Sequence, residues 1–412
     1  MIKGKDKKIL FLQWMLKPDI THSIKLSPSP QKSLFTCLTN NQSDLRVKRI
    51  KYTEAFMKIL LVTFSDNADH QDTLFGLYEQ LAPNGNTYLL TTKEPKVPLH
   101  TSDHTWLVDC PKRPGIVLKT FDIFTLASII RRIRKEKFDI VYFESLHVWN
   151  ILIALALPRK THTCQVIHEV IPHEGDKQVK GVDFMNKTIC KTIDTIILRN
   201  RKYVTDMVHR YQISPDRVKY LELWRRYPDY TQPVHSGHVL FFGRINPYKG
   251  ADNLLEIVNL CPDIHFDIIG RVDPQMEPIV KELEKKKNVH VQKGYVSDDA
   301  MKKAFINCDW AIVPYNSASQ SGIIIDAYKF SRPVIAFNVG AIPEQIDDER
   351  SGYLIAEGDN RAFATKIKEA MALPRESYDA FCSYAYQYGR QKYSAVGAVD
   401  RFYQMINDRE TK

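Results

Sequence analysis

Four loops punctuated by glycine or proline, each preceded by a short apolar run, restrict the second half of the chain to a parallel α/β fold. Short continuous apolar runs are typical of strands that are buried on both faces. A glycine or proline directly after such a run lets the chain turn into a crossover helix. The loops occupy residues 241–250, 292–301, 314–336 and 338–346.

The first of these loops places two cations directly after an apolar run. Residues 239–242 predict a buried strand, Gly243 ends it, and Arg244 and Lys249 follow in the turn. Fixed cations at the carboxyl end of a parallel strand suit a diphosphate, whose negative charge grows as its bond to a sugar breaks. The alternative is that both are ordinary solvated loop cations.

The third loop leads directly into an apolar helix that is predicted to begin near Gly322. Ser319, Ser321 and Gly322 therefore fall where the backbone N–H groups of a helix N-terminus can hold an anion. No acidic residue lies between Asp309 and Asp326, so no side-chain charge there repels a phosphate. Asp326 is predicted to accept hydrogen bonds from ribose hydroxyls, or else simply to complement the helix dipole.

These motifs resemble those of the retaining glycosyltransferases of family 4, the "glycosyl transferases group 1" type, which have the GT-B architecture. The resemblance extends over nearly all of residues 57–412 and is strongest in the second half. It implies an α/β fold with two doubly wound, Rossmann-like parallel-sheet domains that face each other across a cleft. It also implies a phosphate clamp at Gly243, Arg244, Lys249 and Gly250, a base-binding loop at Gly294, Tyr295 and Val296, and sugar and phosphate contacts from Ser319, Gln320, Ser321, Gly322 and Ile323.

The chain departs from the family pattern at one acidic position. The family signature has two glutamates followed by a G-x-P-V-x-A turn, which is matched here by Pro333, Val334 and Ala336. This anchor places the second glutamate on Asp326 and the first on Ala318, so the first carboxylate is missing. The sugar of the donor is therefore not specified by the sequence.

The clearest signal in the first half is a histidine-rich strand end at residues 166–175. Polar groups at the carboxyl edge of a parallel sheet lie where ligands gather. Family members resemble this chain in placing a histidine there, facing the transferred sugar. His168 and His173 both match, and the alternative for either is a structural histidine bonded to the backbone.

The resemblance implies transfer with retention of configuration. Arg244, Lys249 and the helix end near Ser321 would stabilise the departing nucleoside diphosphate while the acceptor hydroxyl attacks the same face of the sugar. No Asp-x-Asp motif stands at a predicted strand end, so neither a metal nor another cofactor is predicted. A uridine donor is the family-level expectation, because Tyr295 and Val296 would present mainly backbone groups to the base.

Length supports a two-domain organisation, because 412 residues are too many for one ordinary core. The alternation of strand-like and helix-like runs begins at Met57. The predicted parts are an extension at residues 1–56, an acceptor-side domain at 57–232, a nucleotide-sugar-binding domain at 233–385, and a terminal helix at 386–412 that packs back on the first domain.

The extension carries most of the positive charge. It has 11 Lys and Arg against 4 Asp and Glu, a net charge of +7 out of the +10 of the chain. Its prolines and polar residues predict a poorly ordered arm or a mis-assigned start, with Met57 as the initiator. An apolar run at residues 9–16 suggests a signal peptide, but no small-residue cleavage pattern follows it.

Cysteine usage and hydropathy indicate a cytoplasmic protein. The seven cysteines are scattered without C-x-x-C spacing, which favours buried thiols in a reducing compartment. No apolar run approaches the ~18 to 20 residues that span a bilayer. The basic residues 129–137 are predicted either to rest on anionic lipid at the inner face of the plasma membrane or to form a solvated helix end.

The preferred function is transfer of a sugar from a nucleotide sugar to a saccharide or lipid-linked acceptor in the synthesis of a surface polysaccharide. Two alternatives stay open: a nucleotide-sugar 2-epimerase of the same fold, against which the missing carboxylate at Ala318 argues, and a non-catalytic nucleotide-sugar-binding relative. Nucleic-acid binding is not expected, because the basic excess lies mostly in the extension and no aromatic-basic platform is present.

Overall fold

A computed structural model of the chain describes residues 57–112, 117–170, 179–230 and 232–408. The predicted extension at residues 1–56 lies outside these ranges, and so does His173.

The described part of the first domain contains a seven-stranded sheet in which every neighbouring pair is parallel. The strands are β1 Ile59–Thr63, β2 Thr87–Thr92, β3 Thr105–Val108, β4 Ile140–Phe143, β5 His162–Ile167, β6 Thr195–Leu198 and β7 Val218–Tyr220. Their order across the sheet is β3-β2-β1-β4-β5-β6-β7.

The second domain repeats this arrangement with six described strands, again all parallel. The strands are β8 His238–Phe242, β9 His265–Gly270, β10 Val289–Lys293, β11 Trp310–Val313, β12 Val334–Phe337 and β13 Gly352–Ile355. Their order is β10-β9-β8-β11-β12-β13. The strand order reverses between β1 and β4 and between β8 and β11, and in open α/β sheets ligands bind outside the carboxyl ends of strands at such points.

Helices connect the strands and cover both sheets. Those in the described ranges are α1 Ala68–Leu81, α2 Ile123–Glu136, α3 Val148–Ala156, α4 Val179–Thr192, α5 Val204–Tyr211, α6 Ala251–Leu260, α7 Glu277–Glu284, α8 Asp298–Ile306, α9 Gly322–Lys329, α10 Asn360–Met371, α11 Arg375–Tyr393 and α12 Ala395–Asn407. The two Rossmann-like parallel-sheet domains confirm the predicted fold class.

The apolar runs that predict strands are buried on both faces. Every residue of β1, β4, β6, β11 and β12 is buried. Removing such continuous apolar surface from water is the main favourable term in forming each domain core. All six cysteines in the described ranges are buried. Within the same ranges, no helix combines the length and the hydropathy needed to cross a bilayer.

Arg225 ties the two domains together. Its side chain is 3% exposed, and its guanidinium contacts Asp69 of α1 at 2.9 Å and Asp326 of α9 at 3.3 Å. Its backbone N–H donates to the carbonyl of Tyr393 at 2.8 Å, and its carbonyl accepts from Ala395 at 2.9 Å. The chain crosses between the domains here, and α12 then packs against α1. A single residue therefore joins both domains and the C-terminal crossover.

The first domain also contains a buried ion pair. The Arg199 guanidinium lies 2.6 Å from the Glu144 carboxylate, and the side chains are 1% and 0% exposed. Tyr142 donates a hydrogen bond to Glu144 at 2.9 Å, and the Arg199 guanidinium lies 4.4 Å from the centre of the Trp224 ring. The pair satisfies two charges that water cannot reach.

We expect Glu144→Gln to lower the free energy of unfolding by about 3–5 kcal/mol, because it leaves the charge of Arg199 buried without a counter-charge. Urea denaturation followed by circular dichroism measures the change. Glu282→Gln is the control, since it breaks an exposed pair with Lys285 and should cost less than about 0.5 kcal/mol. Equal effects of the two substitutions would contradict the assigned role of the buried pair.

Candidate active site

A cleft of 750 Å³ lies between the carboxyl edges of the two sheets. The first domain lines it with the loop after β1, the start of α1 and the end of β5, and the second domain with the loops after β8, β9, β10 and β11. Gly250 is not among the lining residues, and the other predicted site residues in the described ranges all line this cleft: His168, Gly243, Arg244, Lys249, Gly294, Tyr295, Val296, Ser319, Gln320, Ser321, Gly322, Ile323 and Asp326. His173 lies outside those ranges.

The turn after β8 requires glycine at two positions. Gly243 has φ +113°, and a Cβ there would lie 2.9 Å from Nζ of Lys249, so the glycine leaves room for the ammonium group. Gly250 has φ +72°, and a Cβ there would lie 1.9 Å from the carbonyl oxygen of Pro314. Asn246 Oδ1 accepts a hydrogen bond from the backbone of Lys249 at 3.1 Å. The local sequence therefore holds Lys249 against the loop after β11.

Three cations line the second-domain side of the cleft. Arg244 is exposed, with Nη2 3.4 Å from the hydroxyl of Tyr248, and Lys249 Nζ lies 5.0 Å from the centre of the Tyr315 ring. Arg271 also lines the cleft, directly after β9. Among the described residues, none of the three cations has a carboxylate oxygen within 4.0 Å. This side of the cleft is therefore suited to an anionic ligand.

Arg271 was not predicted, although the sequence carries a signal for it. Gly270 and Arg271 follow a buried strand in the same way as Gly243 and Arg244 follow β8. The two strands are neighbours in the sheet, and the backbone N–H of Ile245 donates to the carbonyl of Arg271 at 2.8 Å. The repeated Gly-Arg step thus brings two arginines to one edge.

The N-terminus of α9 faces the same cleft. The first N–H groups of a helix have no intrahelical acceptor, so Gly322 and Ile323 offer backbone donors. Gln345 fixes the preceding residue: its Oε1 accepts from the N–H of Ser321 at 2.7 Å, and its Nε2 donates to the carbonyl of Ser321 at 3.0 Å. The Ser321 hydroxyl is buried without a hydrogen-bond partner in the described part of the chain. The sequence did not identify Gln345 as a site residue, because its hydrogen-bond partner, Ser321, is 24 residues away along the chain.

Asp326 lines the cleft but has a protein partner. Its Oδ1 accepts a hydrogen bond from Arg225 Nε at 3.3 Å, and its carboxylate is 8% exposed. Burial raises the pKa of Asp326, and the positive charge of Arg225 opposes that rise. The contact between Asp326 and ribose hydroxyls stays a prediction. In that contact the hydroxyls and Arg225 would bind the same carboxylate.

The first domain contributes a pair of stacked histidines. The rings of His70 and His168 lie 4.4 Å apart at an interplanar angle of 20°. His168 Nε2 is 2.9 Å from the carbonyl oxygen of Glu144, which places the proton on Nε2 and leaves Nδ1 as an acceptor. His70 Nδ1 lies 3.3 Å from Oγ of Ser65. His70 was missed because the polar loop after β1 does not reveal which of its side chains faces the cleft.

Both histidines are neutral at physiological pH. Burial, together with the nearby positive charge of Arg199, lowers the pKa of His168 to about 4. Burial lowers the pKa of His70 to about 3, with a further contribution from His168. The first-domain side of the cleft therefore offers two neutral histidines as hydrogen-bonding groups, and Lys96, a cation that lines the same side, lies 3.6 Å from the carboxylate of Asp66.

Residues 236–372 match the family model described as "Glycosyl transferases group 1". Among curated proteins, the chain is similar to an "Uncharacterized 41.2 kDa protein in cps region" of Klebsiella pneumoniae, with 25% identity over 265 residues, or 59% of this chain and 71% of that protein. It is 29% identical over 229 residues to a GDP-mannose:glycolipid 4-beta-D-mannosyltransferase of Xanthomonas campestris pv. campestris, over 52% of this chain and 62% of that one.

Solved structures share the fold at low sequence identity. Anabaena Alr3699/HepE in complex with UDP-glucose has a TM-score of 0.65 and 13% identity, over 85% of this chain and 99% of that chain. Sucrose-phosphate synthase from Thermosynechococcus elongatus has a TM-score of 0.65 and 16% identity, over 86% and 99%. These likenesses confirm the GT-B fold, and together with the family match they confirm the predicted resemblance to the group 1 glycosyl transferases.

The neutral histidine pair predicts a pH dependence of stability. The pKa values of His70 and His168 in the folded chain lie below the usual 6.5, so as the pH falls the unfolded chain binds protons first. Their contribution is present above pH 6.5 and is lost as the pH falls, toward about 4 for His168 and about 3 for His70. We expect His70→Phe, which keeps an aromatic ring for stacking, to reduce the slope of unfolding free energy against pH by up to about 1.4 kcal/mol per unit. Urea titrations across this range measure the slope, and an unchanged slope would contradict the assignment.

Proposed function

We propose that this protein, whose second domain matches the group 1 glycosyl transferases, is a sugar transferase. It transfers a sugar from a nucleoside diphosphate to a saccharide or lipid-linked acceptor. The observation that supports this proposal best is the unequal distribution of charge between the two sides of the cleft. Three cations that have no carboxylate partner among the described residues line one side of the cleft together with the N-terminus of α9, and two neutral histidines line the other side. This is the charge distribution that a departing diphosphate and an uncharged sugar require.

The diphosphate would lie between the turn after β8 and the start of α9. Lys249 and Arg244 provide fixed positive charge, and the N–H groups of Gly322 and Ile323 provide backbone donors. The buried hydroxyl of Ser321 has no protein partner in the described ranges and would donate to the same phosphate. Each of these groups is held by the fold before the ligand arrives, so little reorganisation is needed.

The nucleoside would extend toward the ends of β9 and β10. Tyr295, which is 81% exposed, and Val296 line this end of the cleft, and Arg271 lies beside it. We propose uridine as the base, which is supported by the UDP and UDP-glucose named in the HepE structures. The mannosyltransferase relative is named for GDP-mannose. Binding of a guanosine donor instead of a uridine donor would therefore contradict the proposed base.

The sugar would lie between Gln320 and the histidine pair. Ala318 occupies the position of the missing family carboxylate and is 3% exposed, so it offers no charge to the sugar hydroxyls. His168 and His70 are among the polar residues of the first domain that line the cleft. A histidine that remains neutral can accept a hydrogen bond from a sugar hydroxyl without repelling positive charge that develops on the sugar ring.

We propose that transfer retains the configuration of the sugar. The acceptor hydroxyl attacks from the face that the leaving group departs, and the β-phosphate, held by Arg244 and Lys249, accumulates negative charge as the bond breaks. Positioning and electrostatic stabilisation lower the barrier without a pair of catalytic carboxylates. The context that we propose is assembly of a surface polysaccharide by a cytoplasmic, peripherally membrane-associated enzyme, and we note that the Klebsiella relative is named for a cps region.

The double variant Arg244→Ala, Lys249→Ala should lose at least about 100-fold in affinity for UDP, because charge-assisted hydrogen bonds contribute about 1.5–3 kcal/mol each. Isothermal titration calorimetry with UDP, GDP, ADP and their sugars measures the loss and identifies the base. The matched control is Lys281→Ala, Lys287→Ala, which removes two exposed cations from a surface away from the cleft and should leave binding unchanged. A folded parent protein that binds none of the nucleotides would overturn the assigned site.

Transfer should give a product with the anomeric configuration of the donor sugar, and EDTA should not reduce the rate. Proton NMR of the anomeric signals, with the donor found by calorimetry and a lipid-linked or simple saccharide acceptor, tests both expectations. Inverted products would reject the proposed same-face attack. Tight donor binding with neither transfer nor slow donor hydrolysis would favour the non-catalytic relative instead.

A further inference from the structure

A cluster of large apolar side chains stands exposed on the first domain. Leu118, Phe121, Ile123 and Phe124, here called the apolar cap, are 93%, 66%, 65% and 83% exposed. Scattered single apolar residues are normal on a protein surface, but four within seven positions form a patch of the kind that marks an interaction site.

The cap is built on fixed structure. Asp122 caps α2 by accepting hydrogen bonds from the backbone and the hydroxyl of Thr125 at 3.0 and 2.7 Å. The carbonyl of Thr120 accepts a hydrogen bond from the indole of Trp149, which is itself fully buried, at 3.0 Å. These hydrogen bonds fix the backbone at the start of the helix. The exposed apolar side chains therefore have a defined arrangement on the surface.

The outward face of α2 changes character along its length. The inward face buries Leu126, Ile129 and Ile133. On the outward face, the two apolar residues of the first turn are followed by small residues and then by cations, in the order Ile123, Phe124, Ala127, Ser128, Arg131, Arg134 and Lys135, all exposed. Small residues between the apolar and basic ends allow the helix to approach a flat surface closely along its length. This pattern fits a bilayer, with apolar groups in the interface and cations on lipid phosphates.

Neighbouring helices extend the same face. Helix α3 packs against both α2 and α4. Leu152 and Leu155 on α3 and Phe184 on α4 are 41%, 65% and 72% exposed. Exposed cations accompany them at Arg159, Lys160, Lys187 and Lys191. The mixed apolar and basic surface therefore belongs to a layer of three helices, and its charge complements an anionic lipid surface.

The cap lies at the edge of the sheet where the cleft opens. Helices α2 and α3 follow β3 and β4, so both begin near the carboxyl edge of the parallel sheet. His70 and His168 follow β1 and β5 at the same edge. A membrane against the cap would therefore lie on the acceptor side of the cleft.

We propose that the apolar cap enters the interface of an anionic bilayer while Arg131, Arg134 and Lys135 bind lipid phosphates. This orientation presents the acceptor side of the cleft to the membrane. The role in delivering a lipid-linked acceptor rests on the proposed function, whereas the binding itself is independent of sugar transfer.

Co-sedimentation of the full-length chain with phosphatidylcholine vesicles, with and without phosphatidylglycerol, tests the proposal. Phe121→Ser, Phe124→Ser should weaken partitioning by about tenfold or more, because two large apolar side chains no longer leave water. Arg131→Ala, Arg134→Ala, Lys135→Ala should abolish the preference for phosphatidylglycerol. The matched control is Val234→Ser, Val396→Ser, since these residues are 62% and 67% exposed outside the cap, and it should partition as the parent does.

Equal partitioning of the Phe121→Ser, Phe124→Ser variant and the parent would overturn the proposal and would assign any membrane binding to other parts of the chain. A parent dimer that dissociates in this variant during ultracentrifugation, with no binding to vesicles, would overturn it in favour of a second copy of the chain. Calorimetry separates the two proposals: the cap variant should bind nucleotide as the parent does, which also shows that it is folded. Vesicle binding by a parent protein that binds no nucleotide would support the membrane surface while rejecting the proposed function.

Discussion

The buried guanidinium of Arg225 holds together the parts on which the cleft depends. A charge with 3% exposure is tolerated only when it is paired, and its partners Asp69 and Asp326 come from opposite domains. Asp69 immediately precedes His70, and a Cβ on Gly322 would lie 3.0 Å from Nη2 of Arg225. The same pairing that satisfies the charge therefore places a histidine of the first domain opposite the N-terminus of α9. Separating the domains would leave the guanidinium without one of its two closest carboxylates, so domain contact and charge compensation are coupled.

This coupling explains how the cleft can keep its charges apart. Arg244, Lys249 and Arg271 have no carboxylate partner among the described residues, and Asp326, an acid that lines the same cleft, is paired with Arg225. The first domain contributes histidines that burial keeps neutral. Cations without a carboxylate partner among the described residues are consequently concentrated where negative charge would develop on a leaving phosphate, whereas on the opposite side Lys96 lies 3.6 Å from Asp66 and Asp69 is paired with Arg225. Such preorganised charges act more strongly in a cleft between two domains than in bulk water, because the effective dielectric constant is lower there.

Sequence reasoning recovered the parts of the fold that depend on local pattern. The buried strands and the Gly-punctuated loops were predictable because apolar runs and glycine turns are encoded within a few neighbouring residues, as at Gly243 and Gly250. Residues that act through distant partners were missed. Arg225 lies in a loop without hydropathy periodicity, and its partner Asp326 is 101 residues away. Gln345 belongs to a predicted loop, but its two hydrogen bonds to Ser321 depend on how two loops meet. The pairing of Asp326 escaped prediction for the same reason.

The parallel topology explains why so many functional features lie on one side of the molecule. In each domain a helix that follows a strand must begin near the carboxyl edge, so the edge collects helix N-termini and the loops that precede them. The anion-binding start of α9, the histidines after β1 and β5, and the apolar cap before α2 all follow from this single constraint. The opposite edge of the second sheet carries a different kind of polar group, in which Asp267 pairs with His238 at 2.8 Å and with His290 at 3.2 Å. Those side chains are in contact with one another, whereas the cations at the carboxyl edge have no carboxylate partner among the described residues. A membrane-binding surface can bring the cleft close to a lipid-linked acceptor only if that surface lies at the carboxyl edge. The apolar cap lies at this edge.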